Sequence, residues 1–232
     1  MNALSPNERS ALFESGGNCG YRAGDWLDQN LPEGVVFSDA ASTFAHALYG
    51  RKGITALYLP NMVRLPDSLC WECSHLETIH IPSCTAIGPN VFRGIAARTL
   101  VLPSVTATGN SSFFLCTKLS VIDFASRPNA RPALAGLSTF QYCSALETLV
   151  LRSDIAWQLW DTASFTGTPF ASGNGGGTIY VPSALIGSYR ADEKWSTILG
   201  YGNGAQNQIL PIEGSIYETQ YADGTQIGGN AL

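Results

Sequence analysis

The feature that most constrains this chain is a short apolar segment that recurs at nearly regular intervals. Its clearest copy is LETIHIP at residues 76–82, and copies in the same frame are anchored at residues 54, 97, 119, 146 and 176. The steps between successive anchors are 22, 21, 22, 27 and 30 residues. Periods of about 20 to 29 residues are typical of leucine-rich repeats, in which each repeat is one rung of a solenoid. The sequence therefore predicts a stacked array with one continuous core.

Alternation within each copy separates inward from outward side chains, because successive residues of a strand point to opposite faces. In the copy at residues 54–60, Leu57 and Leu59 point inward, so Ala56 and Tyr58 point outward. The inward set is Leu57, Leu59, Ile79, Ile81, Leu100, Leu102, Ile122, Phe124, Leu149, Leu151, Ile179 and Val181. One outward row is Ala56, Thr78, Thr99, Val121, Thr148 and Thr178, and the other is Tyr58, His80, Val101, Asp123, Val150 and Tyr180.

A second pattern follows each strand, in which two apolar or small residues are separated by three positions. The pairs are Cys70 and Cys73, Phe92 and Ile95, Phe113 and Cys116, and Phe140 and Cys143. This spacing suits a single helical or tighter turn that packs behind the sheet. Proline at the end of several strands lacks an N–H group and is expected to end the strand ladder there.

The ends of the array differ from its middle, as the ends of a solenoid must if its core is to be covered. Residues 1–50 are predicted to form an N-terminal capping region, with a helix from the capping box at Ser5 to about Glu14 and a degenerate first rung, GVVF. Residues 51–214 are predicted to form the solenoid with its C-terminal cap, and residues 215–232 a loose tail. The longer repeats place loops at 127–137 and 166–177 on one rim.

The chain resembles the BspA-like leucine-rich repeats. The repeat LETIHIPSCTAIGPNVFRGIAARTL has the Ile87-Gly88 pair and Phe92 of that family's unit, and IYVPSALIGSYRADEKWSTI is similar to its end piece. The resemblance implies an α/β-type solenoid with a single parallel sheet, short turns or helical turns behind it, a helical N-terminal cap and a family-type C-terminal cap. It also implies a recognition or adhesion module of the kind found on gut and oral bacteria, and similar chains occur among prophage genes.

Catalytic, metal and nucleic-acid functions find little support in the composition. Four of the six cysteines fall on predicted core positions, where cysteine acts as a small apolar residue; a disulfide between Cys116 and Cys143 on adjacent rungs is the alternative. Three scattered histidines do not form a catalytic set, and no cofactor is expected. The 13 basic residues are outnumbered by 18 acidic ones, which disfavours nucleic-acid binding.

The nearly uncharged outward rows predict a contact surface, since threonine, valine and aromatic side chains suit an interface, although β-branched residues also simply favour strands. The candidate contact residues are Tyr58, Thr78, His80, Thr99, Asp123, Thr148 and Tyr180. We expect a non-catalytic module that binds a protein or glycan through the sheet and the rim loops. The alternative is an oligomer-forming structural component of a phage or prophage-derived particle. No secretory signal or membrane-spanning run is visible, and a virion or cell surface is favoured over the cytoplasm.

Overall fold

The structure, a computed structural model, describes residues 45–46, 48–124, 132–134, 136–171, 175–200 and 206–220. In these residues each rung consists of a longer strand, a shorter strand and a turn, and the rungs stack around a shared apolar core. The sequence-based N-terminal helix, the degenerate first rung GVVF and the rest of the N-terminal cap lie outside the described residues.

The longer strands occupy the repeated apolar segments. They are β1 (Ala56–Tyr58), β3 (Thr78–His80), β5 (Thr99–Val101), β7 (Val121–Phe124), β9 (Thr148–Leu151), β11 (Thr178–Val181) and β12 (Gln208–Pro211). Every pairing between them is parallel, with Tyr58 opposite His80 and Val101 opposite Asp123. The predicted inward residues are all buried. The register inferred from alternation is therefore confirmed.

A second set of strands forms another side of the solenoid. These two-residue strands are β2 (Arg64–Leu65), β4 (Ala86–Ile87), β6 (Ala107–Thr108), β8 (Ala133–Leu134) and β10 (Gln158–Leu159), and they pair in parallel in that order. The expectation of a single parallel sheet is therefore wrong. Two-residue strands have too few positions for alternation to mark them, and only the Ile87-Gly88 pair gave a local signal.

The longer strands are also divided, because β1 pairs with β3 while β5, β7, β9, β11 and β12 form a separate sheet. The connection from the turn to the strand explains the division. Ile95 precedes the inward Leu100 by five positions, whereas Cys73 precedes the equivalent Ile79 by six. The shorter connection shifts the backbone so that Ala96 donates to the carbonyl of Leu76 at 3.0 Å. One missing residue thus interrupts the ladder between β3 and β5.

The third side of the solenoid is a stack of turns, which we call the turn face. Its rungs cover residues 46–50, 68–72, 90–94, 111–115 and 138–142, and each has positive-φ residues at its two ends, such as Ser68 at 56° and Glu72 at 60°. Adjacent turns are bonded in parallel, since the Ser68 amide donates to Pro89 at 2.8 Å and the Cys70 amide to Val91 at 3.0 Å. Hydrogen bonds between adjacent turns thus satisfy backbone N–H and C=O groups without a helix.

Aromatic rings from these turns stack through the core. Phe92 lies 5.9 Å from Phe113, which lies 5.5 Å from Phe140, and Phe140 lies 5.4 Å from Phe165. All four rings are fully buried. The three-residue pattern therefore correctly identified side chains that fill the space behind the strands, and in the described rungs they are carried by turns rather than by helices.

Short helices follow β11 at the C-terminal end. They are α1 (Ile186–Ala191) and α2 (Glu193–Leu199), and single 3₁₀ turns occur at Thr162–Phe165, Ser183–Leu185 and Ile216–Glu218. Asp192 caps α2 by accepting from the amides of Lys194 and Trp195. The Trp195 indole donates to the carbonyl of Trp157 at 2.8 Å, which fixes the helices to the last rungs.

Candidate functional site

The predicted contact residues lie on the outward side of the longer strands, which we call the sheet face. At its β1–β3 end, the rings of Tyr58 and His80 are stacked with centroids 4.6 Å apart and planes 6° apart. Both rings are half-buried, and Thr78 beside them is exposed. Parallel pairing places Tyr58 directly opposite His80, so the stack follows from the register. This end of the sheet face presents two aromatic rings together with threonine.

Asp123 on β7 does not reach the surface, which corrects its assignment as a contact residue. Its side chain is fully buried and accepts two close hydrogen bonds from Arg152, from Nε to Oδ1 at 3.0 Å and from Nη2 to Oδ2 at 2.9 Å. Burial raises the pKa of the Asp123 carboxyl to about 6, and the hydrogen bonds and charge of Arg152 offset part of that rise. The carboxylate is therefore engaged inside the molecule.

The cover over Asp123 is the chain's own segment Ile212–Gln220, which we call the covering segment. It crosses the sheet face after β12, and its Ile212 and Tyr217 form a cluster with Val101 and Val150. Arg152 Nη2 also donates to the carbonyl of Gln220 at 2.5 Å. Residues 215–220 were expected to belong to a loose tail, whereas they pack on the sheet; residues 221–232 lie outside the described part of the chain.

Tyr180 is held by the same segment, because its ring lies 4.7 Å from that of Tyr217. Thr99 and Thr148 are half-buried on the neighbouring outward row. The seven predicted contact residues thus divide into an open group, Tyr58, Thr78 and His80, and a group that lies beside or beneath the covering segment, Thr99, Asp123, Thr148 and Tyr180. The structure does not bring them together as one open site.

The sequence did contain a signal for the covering segment. Val101 and Val150 are apolar residues on an outward row, and they had been interpreted as part of a contact surface. The partner they contact is the segment PIEGSIYE, whose spaced apolar residues were assigned partly to the end of the last repeat and partly to a tail. An apolar outward position identifies a contact, but it does not say whether the contact is internal or with another molecule.

The cysteines that the structure describes are free thiols in the core. They are Cys70, Cys73, Cys84, Cys116 and Cys143. Three of them donate to backbone carbonyls of the preceding rung at 2.9 Å: Cys73 to Leu48, Cys116 to Phe92 and Cys143 to Phe113. Burial raises the pKa of the Cys84 thiol to about 11, and it also raises the pKa values of the Cys70 and Cys143 thiols well above their usual range. The thiols of Cys73, Cys116 and Cys143 are thus structural hydrogen-bond donors between rungs.

Metal and membrane sites were also considered. Within the described ranges, no group of three or more histidine, cysteine, aspartate or glutamate side chains could hold a metal ion. None of the described helices has the length and apolar character needed to cross a bilayer.

The repeats match a known family model. The family model described as a BspA type leucine rich repeat region matches residues 63–159 in six copies. A solved leucine-rich repeat protein of T. pallidum aligns with a TM-score of 0.40 at 16% identity, over 78% of this chain and 72% of that chain. Comparison with curated protein sequences finds no significant match. Residues 63–159 of the chain are thus similar to the BspA type leucine rich repeats.

Proposed function

We propose that this protein is a non-catalytic recognition or adhesion module that binds a protein or glycan. Leucine-rich-repeat proteins generally mediate protein binding or adhesion, and the fold is typically a non-enzymatic scaffold. The observation that carries the proposal for this chain is the pair of stacked, half-buried rings of Tyr58 and His80 at the open end of the sheet face. Its binding site is this open end of the sheet face.

The chemistry of this end suits a contact with a large partner. Tyrosine and histidine rings give broad contact area with few rotamers to immobilise, and exposed threonine adds a hydroxyl group for hydrogen bonding. The stacked pair is already positioned by the parallel register, so binding would cost little additional ordering. A flat surface of this kind fits a protein or glycan better than a small metabolite, which would need a concave pocket.

The test is a double variant, Tyr58→Ala with His80→Ala, compared with wild type for binding to mammalian extracellular-matrix proteins and to an immobilised glycan panel. We expect binding to weaken about tenfold or more, since aromatic anchors of this kind carry much of an interface's energy. The matched control is Thr178→Ala, which changes a half-buried outward residue near the other end of the same sheet face. Equal binding by the double variant and wild type, with both folded, would contradict the proposal.

An alternative function is that of an oligomer-forming structural component of a phage or prophage-derived particle. The observation that favours it is the C-terminal end of the array, where β12 is the last strand in the sheet order and its Leu210 is 36% exposed. Here α1, α2 and β12 act as the cap of the solenoid. Light scattering after size exclusion would detect cyclic oligomers, and Leu210→Glu should dissociate them if this end is the interface.

A further inference from the structure

The turn face carries a row of aromatic rings around a single arginine, which we call the aromatic row. It contains Tyr49, Trp71, Arg93, Phe114 and Tyr142, one from each of five successive turns. The Tyr49 and Trp71 rings are 5.1 Å apart, and the Phe114 and Tyr142 rings are 5.5 Å apart, both edge to face. The Arg93 guanidinium lies between the two ring pairs, 4.8 Å from the Trp71 ring and 4.3 Å from the Phe114 ring.

The register of the turns produces this row. Residues 49, 71, 93 and 114 are separated by 22, 22 and 21 positions, so they occupy the same place in successive rungs. The backbone bonds between turns fix their spacing, since the Gly94 amide donates to Phe114 at 2.9 Å and the Tyr142 amide to Thr166 at 2.8 Å. The residues at the four equivalent positions, 49, 71, 93 and 114, are half-buried, and Tyr142 is 45% exposed. The row is therefore rigid and reachable from solvent.

Arg93 has no anionic partner in the part of the chain that the structure describes. The only hydrogen bond of its guanidinium there is a long one of 3.5 Å from Nη1 to Asn90 Oδ1. The guanidinium carbon lies over the faces of both rings, which partly desolvates the cation. A desolvated cation is favoured most by a carboxylate that accepts two of its N–H groups. We therefore expect the charge of Arg93 to be paired by an acidic group from outside the described residues.

We propose that the aromatic row is a second interaction surface, separate from the sheet face, and that it binds an extended glycan that carries carboxylate groups. Because the Trp71 and Phe114 rings face Arg93, pyranose rings would stack on the Tyr49 and Tyr142 rings at the two ends of the row, and a sugar carboxylate would pair with Arg93 between them. Rungs of a parallel ladder repeat at about 4.8 Å, close to the length of one pyranose unit in an extended chain. The row thus matches a linear polymer of flat units in both spacing and charge.

A protein segment fits this surface less well. Protein interfaces are anchored by side chains that enter well-packed pockets, whereas the aromatic row is a line of half-buried rings with Tyr142 more exposed at one end. Single-stranded nucleic acid also stacks on aromatic side chains, but its phosphates require a positively charged groove. The aromatic row has one arginine with Glu72 exposed beside it, and the chain has a net charge of −5. A glycan with separated carboxylates is the partner that the charge pattern favours.

The test uses the full chain and two probes, an oligosaccharide in which a uronic acid alternates with a neutral sugar, as in hyaluronan, and its fully methyl-esterified, uncharged form. Affinities are measured by isothermal titration for wild type, for Arg93→Gln, and for Arg64→Gln. Arg64 is an exposed arginine on β2, so its replacement removes the same charge on another side of the solenoid. A fourth variant, Tyr142→Ala, shortens the row at its exposed end and leaves the Trp71–Arg93–Phe114 contacts in place.

We expect wild type to bind the acidic probe about tenfold or more tightly than the ester, the scale of one charge-assisted pair. Arg93→Gln should abolish that preference, Arg64→Gln should retain it, and Tyr142→Ala should weaken both probes. The proposal is overturned if wild type binds neither probe, or if Arg93→Gln and Arg64→Gln lose affinity equally. It is also overturned if poly-glutamate binds as tightly as the acidic probe, which would assign the row to acidic protein segments. Because Tyr58 and His80 are unchanged throughout, these results are independent of the sheet-face proposal.

Discussion

The sheet face and the turn face are outward surfaces of the same rungs, but another segment of the chain lies across the sheet face, whereas the turn face has exposed side chains. From β5 to β11 the sheet face carries Val101, Asp123, Val150 and Tyr180, and the covering segment lies across them. The turn face carries the aromatic row, with Tyr142 and Leu115 left 45% and 42% exposed. An outward direction in the repeat therefore does not imply an accessible side chain. The covered face should respond to mutation as core does, and the turn face as surface does.

The largest loss of unfolding free energy is expected for Arg152→Ala at neutral pH. Its side chain is 11% exposed and supports the fully buried carboxylate of Asp123 and the carbonyl of Gln220. Removal would leave a buried charge without its partner, a change that typically costs about 3 to 5 kcal/mol. Urea denaturation measures the loss, with Arg98→Ala, an exposed arginine, as the control. A loss below about 1 kcal/mol would mean that Asp123 is solvated and the covering segment is not in place.

Tyr217→Ala should be the next most damaging change. Tyr217 is 7% exposed and packs on Tyr180 and the valines of the sheet face, so its loss opens a cavity. Truncating a buried aromatic residue typically costs about 3 kcal/mol or more. Its neighbour Ile216 is 68% exposed, so Ile216→Ala should change the unfolding free energy little. Similar losses for the two variants would show that the covering segment lies in another orientation.

The contrast between these faces also explains what the sequence could predict. Alternation identified the strands, their register and the inward residues, because a period of two reports which side of the backbone faces the core. It failed for Asp123, Val101 and Val150, since their burial depends on a contact with residues 212–220 that no local pattern encodes. The two-residue strands of the second sheet were missed because they are too short for periodicity. The aromatic row was missed because Trp71, Arg93, Phe114 and Tyr142 lie between the two apolar residues of each turn pattern, and only those two residues were assigned a role.

The pH dependence of stability sharpens the comparison at Asp123. Its folded-state pKa is raised from 3.8 to about 6, so between these values the folded protein binds more protons than the unfolded chain. The stabilising contribution is therefore fully present below about pH 4 and is lost as pH rises through about 6. Thermal midpoints of wild type and Asp123→Asn across this range isolate the effect. We expect the stability of wild type relative to the variant to fall with rising pH; a flat difference would contradict the burial of this carboxyl.

Phe114→Ala on the turn face should change stability less than the changes at Arg152, Tyr217 and Asp123. The ring is half-buried and contributes one edge-to-face contact with Tyr142 and one contact with Arg93. Such contacts are worth about 1 kcal/mol each, and less when exposed. Chemical denaturation should show a loss of about 1 kcal/mol, while Phe113→Ala, its fully buried neighbour, should lose about 3 kcal/mol or more. Equal losses would show that the aromatic row is covered like the sheet face.

The most direct test of the difference between the faces is thiol labelling of two single-residue variants. Val101→Cys lies under the covering segment at 2% exposed, and Leu115→Cys lies on the turn face at 42% exposed. In a Cys19→Ser background, the five native thiols that the structure describes are buried and should react slowly. We expect a maleimide to modify Leu115→Cys about a hundredfold faster than Val101→Cys, because the latter must wait for local opening. Adding Tyr217→Ala should bring the Val101→Cys rate close to that of Leu115→Cys. Equal rates in the two parent variants would show that the sheet face is open, and would contradict this account of the molecule.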